Sequence, residues 1–560
     1  MRKLLFALSF FLAGSLASAQ EESVLKAAMY LSGASCEEEI PEEWIDRVEA
    51  AGKVRINDPH LKPSVFLSSY QVACINDYRG RAGDILSFGE LALVDGFSEE
   101  CVEALKPYLS LHSSRLPGSA DTVRLHTTAL LRSTLKKAGG KLKLSGDSWK
   151  AGGAWRSASY SPFFKGGDGT FHADVSGRFG RAVIGDFNLR YGQGLASWTG
   201  FSMSSLSTLD AFIWRSTGVS PVWSFNSSSV LRGAAYEYSW RRFSGSLFAA
   251  AQGVYGGHLD FLGRNGKIGG TVLWNGALTI SADSRWNIKG ADYAAEVAWR
   301  GIGVPGSAAF KAACRWKIRE DVKLALQLRA VPSRFGGRKN GEYAVAVGSS
   351  YTSGRWKSLA GRTGFGSSVP VHRASITADA ALLPIPESEP YRFQLRIYAM
   401  WQWQMASAWN LDLRFTERYR NYENSRSSLR ADLRYAFGPW LAVLRTEGVH
   451  CENIGGLAYL EGGHKSPVWS TYLRLTGFWI DAWNDRIYVY ERDAPGTFSV
   501  PAYYGRGGAL SMVGSFKHSF QRAARSRRRI TLKANLRGAV CLRTTHEPAY
   551  TLNLQLQCDI

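Results

Sequence analysis

Apolar and polar side chains alternate along most of this chain, and residues 391–402 (Y-R-F-Q-L-R-I-Y-A-M-W-Q) show the pattern clearly. Successive side chains of a β-strand point to opposite faces. Such a strand would present Phe393 and Leu395 to an apolar medium, and Arg392 and Arg396 to water. Recurring about twenty times without a buried helix to pack against, this pattern is typical of a transmembrane β-barrel. We therefore expect a mainly β protein, with one large antiparallel barrel of about 22 strands and a range of about 18–26.

The amino-terminal residues indicate export. Arg2 and Lys3 precede an apolar stretch over residues 4–16, and Ala17-Ser18-Ala19 fits a signal-peptidase site, so residues 1–19 are predicted to be a signal peptide. No later stretch contains the roughly 18 uncharged apolar residues that a spanning helix needs. An exported chain of alternating strands is predicted to lie in the outer membrane, with lipid around its barrel.

Aromatic residues agree with this location. The chain has 19 Trp and 24 Tyr, and every Trp except Trp44 lies beyond residue 116. Aromatic girdles at the two membrane interfaces would account for this bias. A large soluble β-sandwich with many core Trp residues is the alternative, and hydropathy cannot separate the two, because barrel strands place half of their residues on polar positions.

The period of the pattern changes near residue 115. Apolar residues three and four apart predict a helical domain over residues 20–112, residues 113–122 read as a linker, and residues 123–560 carry the barrel pattern. The predicted helices are Ser23–Leu31, Glu42–Ala51, Ser69–Arg79, Phe88–Val94 and Glu99–Tyr108. Capping boxes mark two starts, Ser68 with Gln71 and Ser87 with Glu90.

Charge separates at the same place. Residues 20–115 contain 17 Asp or Glu and 9 Lys or Arg, a net charge of −8, whereas residues 116–560 carry +27. The overall net charge of +21 therefore hides an acidic module followed by a basic barrel.

Residues 55–110 resemble the paired helix-hairpin-helix domain of competence-type (ComEA-like) DNA-binding proteins. The first hairpin is Val65-Phe66-Leu67-Ser68, followed by a helix that ends in Asp77-Tyr78-Arg79. The bridge is Leu86-Ser87-Phe88-Gly89-Glu90-Leu91, and the second hairpin is Val94-Asp95-Gly96-Phe97-Ser98. The resemblance implies a periplasmic all-α domain whose hairpins can bind a phosphate, with Ser68, Gly96 and Ser98 as candidate contacts.

The hairpins depart from that family's pattern. Phe66, Ser68 and Ser98 stand where the family has glycines, and a Ser at a helix start caps the same N–H groups that a phosphate would need. Glu99 and Glu100 add two carboxylates there, which repel phosphate. DNA therefore remains a candidate partner that the acidic module disfavours. A protein-interaction module is the other interpretation.

Three segments within the barrel extend the resemblance. Gly185-Asp186-Phe187, Tyr191-Gly192-Gln193-Gly194-Leu195 and Arg232-Gly233-Ala234-Ala235 are similar to segments of outer-membrane proteins in which a periplasmic helix-hairpin-helix domain precedes a large barrel. This resemblance implies an architecture and no particular activity. Gly192 and Gly194 lack the helix and Lys of a phosphate loop, so we expect them to relieve crowding at a strand bend.

If the apolar face contacts lipid, the lumen is strongly basic. The inward-facing candidates are Lys323, Arg329, Arg392, Arg396, Arg414, Arg418, Arg474, Lys533 and Arg537. Cations on the lipid face would cost about 2–4 kcal/mol each at mid-membrane. One hypothesis is a wall that attracts anionic solutes. The other is that these side chains solvate the lumen and pair with interior Asp, Glu and Tyr.

The densest run of positive charge comprises Arg522, Arg525, Arg527, Arg528 and Arg529. If the C-terminus is periplasmic, this segment is a periplasmic turn on the same side as the acidic module. We therefore predict that the module docks there as a plug. The alternatives are a solvated turn and a site for anionic lipid head groups.

No pattern indicates catalysis, a metal or a cofactor. The ten His are scattered, and His172-Ala173-Asp174 is the one cluster that suggests acid–base chemistry. The seven Cys fit no metal spacing. Cys74 and Cys101 could form a disulfide, although two buried free thiols are favoured.

The sequence thus predicts a non-enzymatic outer-membrane protein for passage or docking of an anionic solute or macromolecule. A DNA-uptake component is the first alternative, and a structural or secretion-associated scaffold with a periplasmic protein partner is the second.

Overall fold

The structure is a computed structural model whose described part covers most of the chain. It describes residues 15–34, 40, 44–45, 47–48, 51, 53–58, 61, 64–112, 126–146, 148–157, 167–177, 179–200, 206–225, 227, 230–240, 242–263, 265–301, 307–319, 321–336, 341–353, 371–383, 392–406, 408–466, 468–495, 497, 499–521, 529–544 and 546–560.

In the part of the chain that the structure describes, four α-helices with defined bounds precede the barrel: α1 (Ser15–Ser32), α2 (Ser69–Ala82), α3 (Phe88–Leu93) and α4 (Glu99–Leu105). The hydroxyls of Ser68, Ser87 and Ser98 accept the first-turn N–H groups of α2, α3 and α4, so these helices begin where the sequence predicts. A 3₁₀ turn continues α4 to Tyr108. Among the residues described, no helix is both long and apolar enough to cross a membrane.

These helices share one apolar core, and we refer to residues 20–112 as the amino-terminal module. Phe66, Ile75 and Leu105 are completely buried in it. Strands β1 (Val54–Arg55) and β2 (Leu109–Ser110) pair in parallel and bring the two ends of the hairpin region together. Helices α2, α3 and α4 match the prediction, and α1 is longer than the predicted Ser23–Leu31. Of the predicted helix Glu42–Ala51 only residues 44–45, 47–48 and 51 are described, and the first four of these are helical. The ComEA-like assignment of the module stays a prediction.

The remaining strands lie between residues 126 and 559. They are β3 (His126–Thr134), β4 (Ala138–Ser145), β5 (Trp149–Arg156), β6 (Asp168–Gly177), β7 (Gly180–Arg190), β8 (Gly218–Pro221), β9 (Leu231–Trp240), β10 (Phe243–Ala250), β11 (Val254–Leu262), β12 (Gly266–Asn275), β13 (Leu278–Ile288), β14 (Ala291–Arg300), β15 (Ser307–Lys317), β16 (Val322–Val331), β17 (Glu342–Thr352), β18 (Val371–Leu383), β19 (Arg392–Gln404), β20 (Trp409–Arg420), β21 (Glu423–Phe437), β22 (Trp440–His450), β23 (Ile454–Lys465), β24 (Trp469–Ile480), β25 (Ile487–Tyr488), β26 (Ala502–Tyr503), β27 (Gly505–Gln521), β28 (Arg529–Arg543) and β29 (His546–Asp559).

These strands form a closed antiparallel barrel. Pairing of β29 with β3, from Asn553 opposite Thr134 to Asp559 opposite Thr128, completes the ring. The short β8 branches from the end of β7, and β25 pairs only with β26, so neither β8 nor the β25–β26 pair counts as a separate strand of the wall. The wall described here therefore has 24 strands.

The predicted number of about 22 strands was too low by two. Several neighbouring strands are joined by only two residues, such as Gly276-Ala277 between β12 and β13 and Lys289-Gly290 between β13 and β14. Such tight turns interrupt the alternation so briefly that two strands read as one.

Strand direction defines two rims. Since all wall pairs are antiparallel, the start of β3 and the end of β29 lie at the same rim, which we call the terminal rim. The end of β27 and the start of β28 lie at this rim, because Gln521 pairs with Arg529 and Thr531 with Asp559. The long connections over residues 191–230 and 481–504 start from the opposite rim.

The outer surface of the wall is apolar. In β16, Leu324, Leu326 and Leu328 are 37–43% exposed, whereas the alternate residues Gln327 and Arg329 are at most 9% exposed. Exposed Trp residues lie within two residues of strand ends at both rims: Trp149, Trp240, Trp316, Trp409, Trp440 and Trp469 at the terminal rim, and Trp274, Trp299 and Trp479 at the opposite rim. A closed barrel with an apolar belt between two aromatic girdles is the architecture of outer-membrane barrels, and it argues against a soluble sandwich.

Candidate functional site

The lumen is the candidate functional site, and parts of three chain segments lie inside it. They are the amino-terminal module, the first inner loop (residues 191–230) and the second inner loop (residues 481–504). Phe212 of the first inner loop, completely buried, packs against Ala325 and Ala346, which face inward from β16 and β17. The first inner loop therefore crosses the barrel from β7 to the wall on the other side.

A carboxylate of the wall holds the start of the first inner loop. Glu296 of β14 accepts hydrogen bonds from the backbone N–H groups of Gln193 (2.6 Å), Leu195 (3.0 Å) and Ala196 (3.1 Å). Gly192 has φ +58°, and a Cβ there would lie 2.7 Å from the Glu296 carboxylate. Gly192 and Gly194 thus shape an anion nest that the protein's own carboxylate occupies, a more specific role than relief of crowding.

The three barrel segments that suggested a resemblance are neighbours in space. Asp186 is paired with Arg232 in the register of β7 and β9, and its carboxylate accepts both the Nε (2.8 Å) and an Nη (3.0 Å) of that guanidinium. Asp186 also accepts the N–H of Phe171 at 2.8 Å. This junction is where β7 leaves the wall and leads into the first inner loop.

Charged side chains of the wall hold the second inner loop. The Arg537 guanidinium donates to Asp493 (2.9 Å) and contacts Glu491. Arg474 donates to the carbonyl of Tyr490 at 2.7 Å while it pairs with Glu461 at 2.6 Å. The predicted lumen cations Arg474 and Arg537 therefore position this loop.

The amino-terminal module is docked inside the barrel. The Arg47 guanidinium donates to Ser220 Oγ (2.7 Å) in the first inner loop, and Tyr490 of the second inner loop belongs to the module's apolar core. On α4, Glu100 pairs with Lys323 (3.3 Å) and with Arg373, which lie near the terminal rim. The predicted docking turn, with Arg522, Arg525, Arg527 and Arg528, lies outside the described residues, as does the side chain of Arg529. The described contacts of Glu100 are with the barrel wall.

The hairpin donors of the module are engaged within the module itself. Ser68 Oγ accepts the N–H of Gln71, and the Gln71 amide accepts the N–H of Ser68 in return. Ser98 Oγ accepts the N–H of Cys101, and Gly96, at φ +81°, offers its carbonyl to the Gln71 amide. Ser68, Gly96 and Ser98 therefore serve the fold of the hairpins.

The predicted lumen cations divide into two groups. Five bind carboxylates: Lys323 binds Glu100, Arg329 binds Glu342 and Asp379, Arg474 binds Glu461, Lys533 binds Asp559, and Arg537 binds Glu491 and Asp493. The other four, Arg392, Arg396, Arg414 and Arg418, lie together on β19 and β20.

Arg396 and Arg418 are directly opposite each other across β19 and β20. Within the described part of the chain, neither side chain has a hydrogen-bond or ion-pair partner, and the Nε atom of each is buried without an acceptor. Arg426 follows Arg418 in the same row on β21, where it donates to the carbonyls of Asn484 and Arg486. Like charges that face each other across strands are unfavourable unless an anion lies between them.

Sequence reasoning missed one buried polar cluster. His258, Asp260 and Asp283 converge on inward faces of β11 and β13, and the Lys267 ammonium lies 2.7 Å from Asp260 and 3.2 Å from Asp283. The ammonium takes the position that a cation would need. The two-residue spacing of His258 and Asp260, which places both side chains on one face of a strand, is the sequence signal that could have indicated this cluster.

The other predicted candidates are occupied by structural contacts. His172 Nδ1 lies 3.0 Å from the Val222 carbonyl, and Asp174 holds Arg181 through both carboxylate oxygens. Cys74 and Cys101 are buried and unlinked. Neither arrangement shows an acid–base pair aimed at a substrate position.

No family model matches this chain, and no curated protein matches it. Among solved structures, a chain of the E. coli P pilus tip assembly intermediate PapC-PapD-PapK-PapG is similar, with a TM-score of 0.43 and 8% identity over 79% of this chain, which spans 62% of that one. The Pseudomonas aeruginosa outer-membrane protein OpdK aligns with a TM-score of 0.29 and 10% identity, over 78% of this chain and 99% of its own. Pseudomonas aeruginosa OccK3 (OpdO) aligns with a TM-score of 0.28 and 9% identity, over 78% and 94%. The likeness is one of barrel architecture alone.

Proposed function

We propose that this protein is an outer-membrane channel for anionic solutes, with its amino-terminal module entering the lumen from the periplasmic side as a plug. The observation that carries the proposal is the pair of inward-facing guanidinium groups of Arg396 and Arg418, which have no partner in the described part of the protein. An anion beside them would offset their mutual repulsion.

We infer that the open part of the lumen lies against these residues, because the first inner loop covers another part of the wall. Glu296 and Gln327, inward-facing on β14 and β16, are only 1% exposed, because the first inner loop covers them. Arg396, Arg414 and Arg418 on β19 and β20 remain half-buried. A solute that passes the inner loops therefore travels along the arginine-bearing strands.

Cations follow one another along this part of the wall. Arg418 and Arg414 are four residues apart on β20, a separation of about 13 Å along an extended strand. Arg430 lies opposite Arg414 on β21, and Arg434, nearer the terminal rim, lies opposite Asn410. Asp432 pairs with Arg430 at 2.7 Å and lies opposite Asp412, so this row is mixed in charge. The attraction for an anion therefore comes chiefly from Arg396 and Arg418.

DNA binding by the module has less support. The hairpin N–H groups that would meet a phosphate are already capped by Ser68 and Ser98, and Glu100 faces the basic wall. The module's acidity is thus matched by the lumen that surrounds it, which favours a plug over a nucleic-acid reader.

Reversal potentials in a salt gradient across planar bilayers test the proposal. We expect the full-length protein to be anion-selective, and Arg396→Ser and Arg418→Ser each to lower the anion-to-cation permeability ratio. A unit charge at about 8 Å in a water-like medium contributes about 0.5 kcal/mol, so the expected change is about twofold per substitution.

Lys136→Ser is the matched control, because Lys136 is an exposed cation in the turn between β3 and β4, outside the lumen. Its removal should leave the ratio unchanged. Cation selectivity of the wild-type protein, or no conductance even when the module's contacts with the wall are weakened, would overturn the proposal.

A further inference from the structure

A cavity of about 90 Å³ lies between the amino-terminal module and the first inner loop. The module contributes Tyr30, Trp44 and Gln71 to its lining, the loop contributes Trp198 and Arg215, and the wall contributes Arg285 and Arg315. Since one water needs about 10–15 Å³ of such space, the cavity has room for a group of a few heavy atoms.

Arg215 lines this cavity, and no carboxylate among the described residues pairs with it. One of its Nη atoms donates to the Gln71 amide oxygen at 2.8 Å and to the carbonyl of Phe66. Its Nε is buried and has no acceptor in the described part of the chain. Neutral oxygens solvate the guanidinium but leave its charge uncompensated.

Arg285 is a second cation of this kind. Its guanidinium lies over the ring of Tyr70, 5.1 Å from the centroid, and its Nε is also buried without an acceptor among the described residues. The neighbouring carboxylate of Asp292 is already bound by Arg315 at 2.5 Å and by the Asn287 amide at 2.8 Å.

The charges around the cavity do not balance. Asp210 also binds Arg315, so the two carboxylates converge on one of the three arginines, and these five described side chains carry a net charge of +1. The lining residues contribute three buried polar atoms without a partner: Nε of Arg215, Nε of Arg285 and Nε1 of Trp198. All three are N–H donors, and none of them meets an acceptor among the described residues, which favours a bound group that supplies acceptors and negative charge.

We propose that the cavity binds one small oxyanion, of the phosphate or carboxylate type, which fastens the amino-terminal module to the barrel. Arginine N–H groups pair with the oxygens of such an anion, and the indole N–H adds a third donor. Because residues of the module and of the barrel both line the cavity, the anion binds the docked arrangement and stabilises it. This site is separate from the Arg396–Arg418 pair and does not depend on whether the barrel conducts.

Calorimetric titration of the full-length protein in detergent tests the site. After dialysis into a chloride buffer, the protein is titrated with inorganic phosphate and, separately, with sodium acetate. We expect saturable binding of one anion per chain, and the stronger of the two ligands identifies the type. Hydrogen exchange of residues 64–112 should slow in proportion to the concentration of that anion above its Kd.

Substitutions separate this site from general attraction of anions. Arg215→Gln and Arg285→Gln should each weaken binding at least about tenfold, since hydrogen bonds to charged groups are the strong ones. Arg242→Gln removes an exposed cation from a turn at the terminal rim and should change nothing. Arg285→Lys, which keeps the charge, should retain part of the affinity.

The titration of the wild-type protein tests whether an oxyanion binds even if a cavity variant does not fold. Absence of saturable binding for both anions would overturn the proposal. So would binding that stays equal in the two cavity variants while circular dichroism shows that their barrels are intact.

Discussion

The indole of Trp44 lies between two guanidinium groups, 4.6 Å from that of Arg47 in the module and 4.6 Å from that of Arg190 at the end of β7. Arg190 is completely buried. Its guanidinium also lies 5.4 Å from the ring of a second Trp, Trp198. Cation–π contacts of this desolvated kind contribute about 2 kcal/mol. The only Trp of the module is therefore an anchor between the module and the first inner loop.

Replacing Trp44 by Ala should undock the module without unfolding the barrel. The change removes a 5%-exposed indole, and such truncations cost about 3–5 kcal/mol. Limited proteolysis should cleave residues 64–112 much faster in Trp44→Ala than in the wild type. Trp316→Ala, at a 51%-exposed position on the outer surface, is the control. Equal cleavage rates in all three proteins would contradict the anchoring role.

Trp44 also shows what the sequence can and cannot predict. The alternation around Arg396 reveals which face is wet, because it depends only on strand geometry. The partner of Trp44 is Arg190, far along the chain, and no periodic signal links the two. The helices and caps of the module were predictable for the same local reason, whereas its position inside the lumen depends on contacts across the barrel.

At the scale of elements, the first inner loop depends on the nest around Glu296. Three backbone N–H groups converge on one carboxylate, so the loop leaves β7 in a single defined direction. The sequence shows Gly192 and Gly194 but not the acceptor, since Glu296 lies about a hundred residues further on. The glycines that form such a nest can be recognised in the local sequence, whereas the group that occupies it depends on the tertiary fold.

Gly192→Ala should loosen this loop. Any non-Gly residue at a left-handed position costs about 1–2 kcal/mol, and here the new Cβ would also lie 2.7 Å from the Glu296 carboxylate. Gly276→Ala is the matched control, because Gly276 has φ +69° and nothing within 4 Å of the added Cβ. Hydrogen exchange over residues 191–200 should accelerate in Gly192→Ala and not in Gly276→Ala. Equal acceleration in both variants would show that the nest around Glu296 does not specifically hold the first inner loop.

At the scale of the whole molecule, an acidic module lies inside a basic barrel. Glu100 connects the two, because its carboxylate contacts both Lys323 and Arg373 on the wall. Burial raises the pKa of Glu100, but the two cations outweigh this effect and hold the pKa below its ordinary value of 4.5. A carboxyl group with a lowered pKa stabilises the docked state above its ordinary pKa, and this contribution is lost as the pH falls through the lower, docked value.

Acidification below about pH 4.5 should therefore weaken docking and raise the conductance of the full-length channel. Glu100→Gln should show raised conductance already at neutral pH and a flatter pH dependence, because its side chain cannot ionise. The matched control is Glu103→Gln on the same helix, where the carboxylate is 58% exposed and pairs with Lys26 inside the module. Single-channel recording of the three proteins between pH 3 and pH 7 makes the comparison. A conductance that falls on acidification, or a Glu100→Gln variant that behaves like the wild type, would show that the contacts of Glu100 with the wall do not hold the plug.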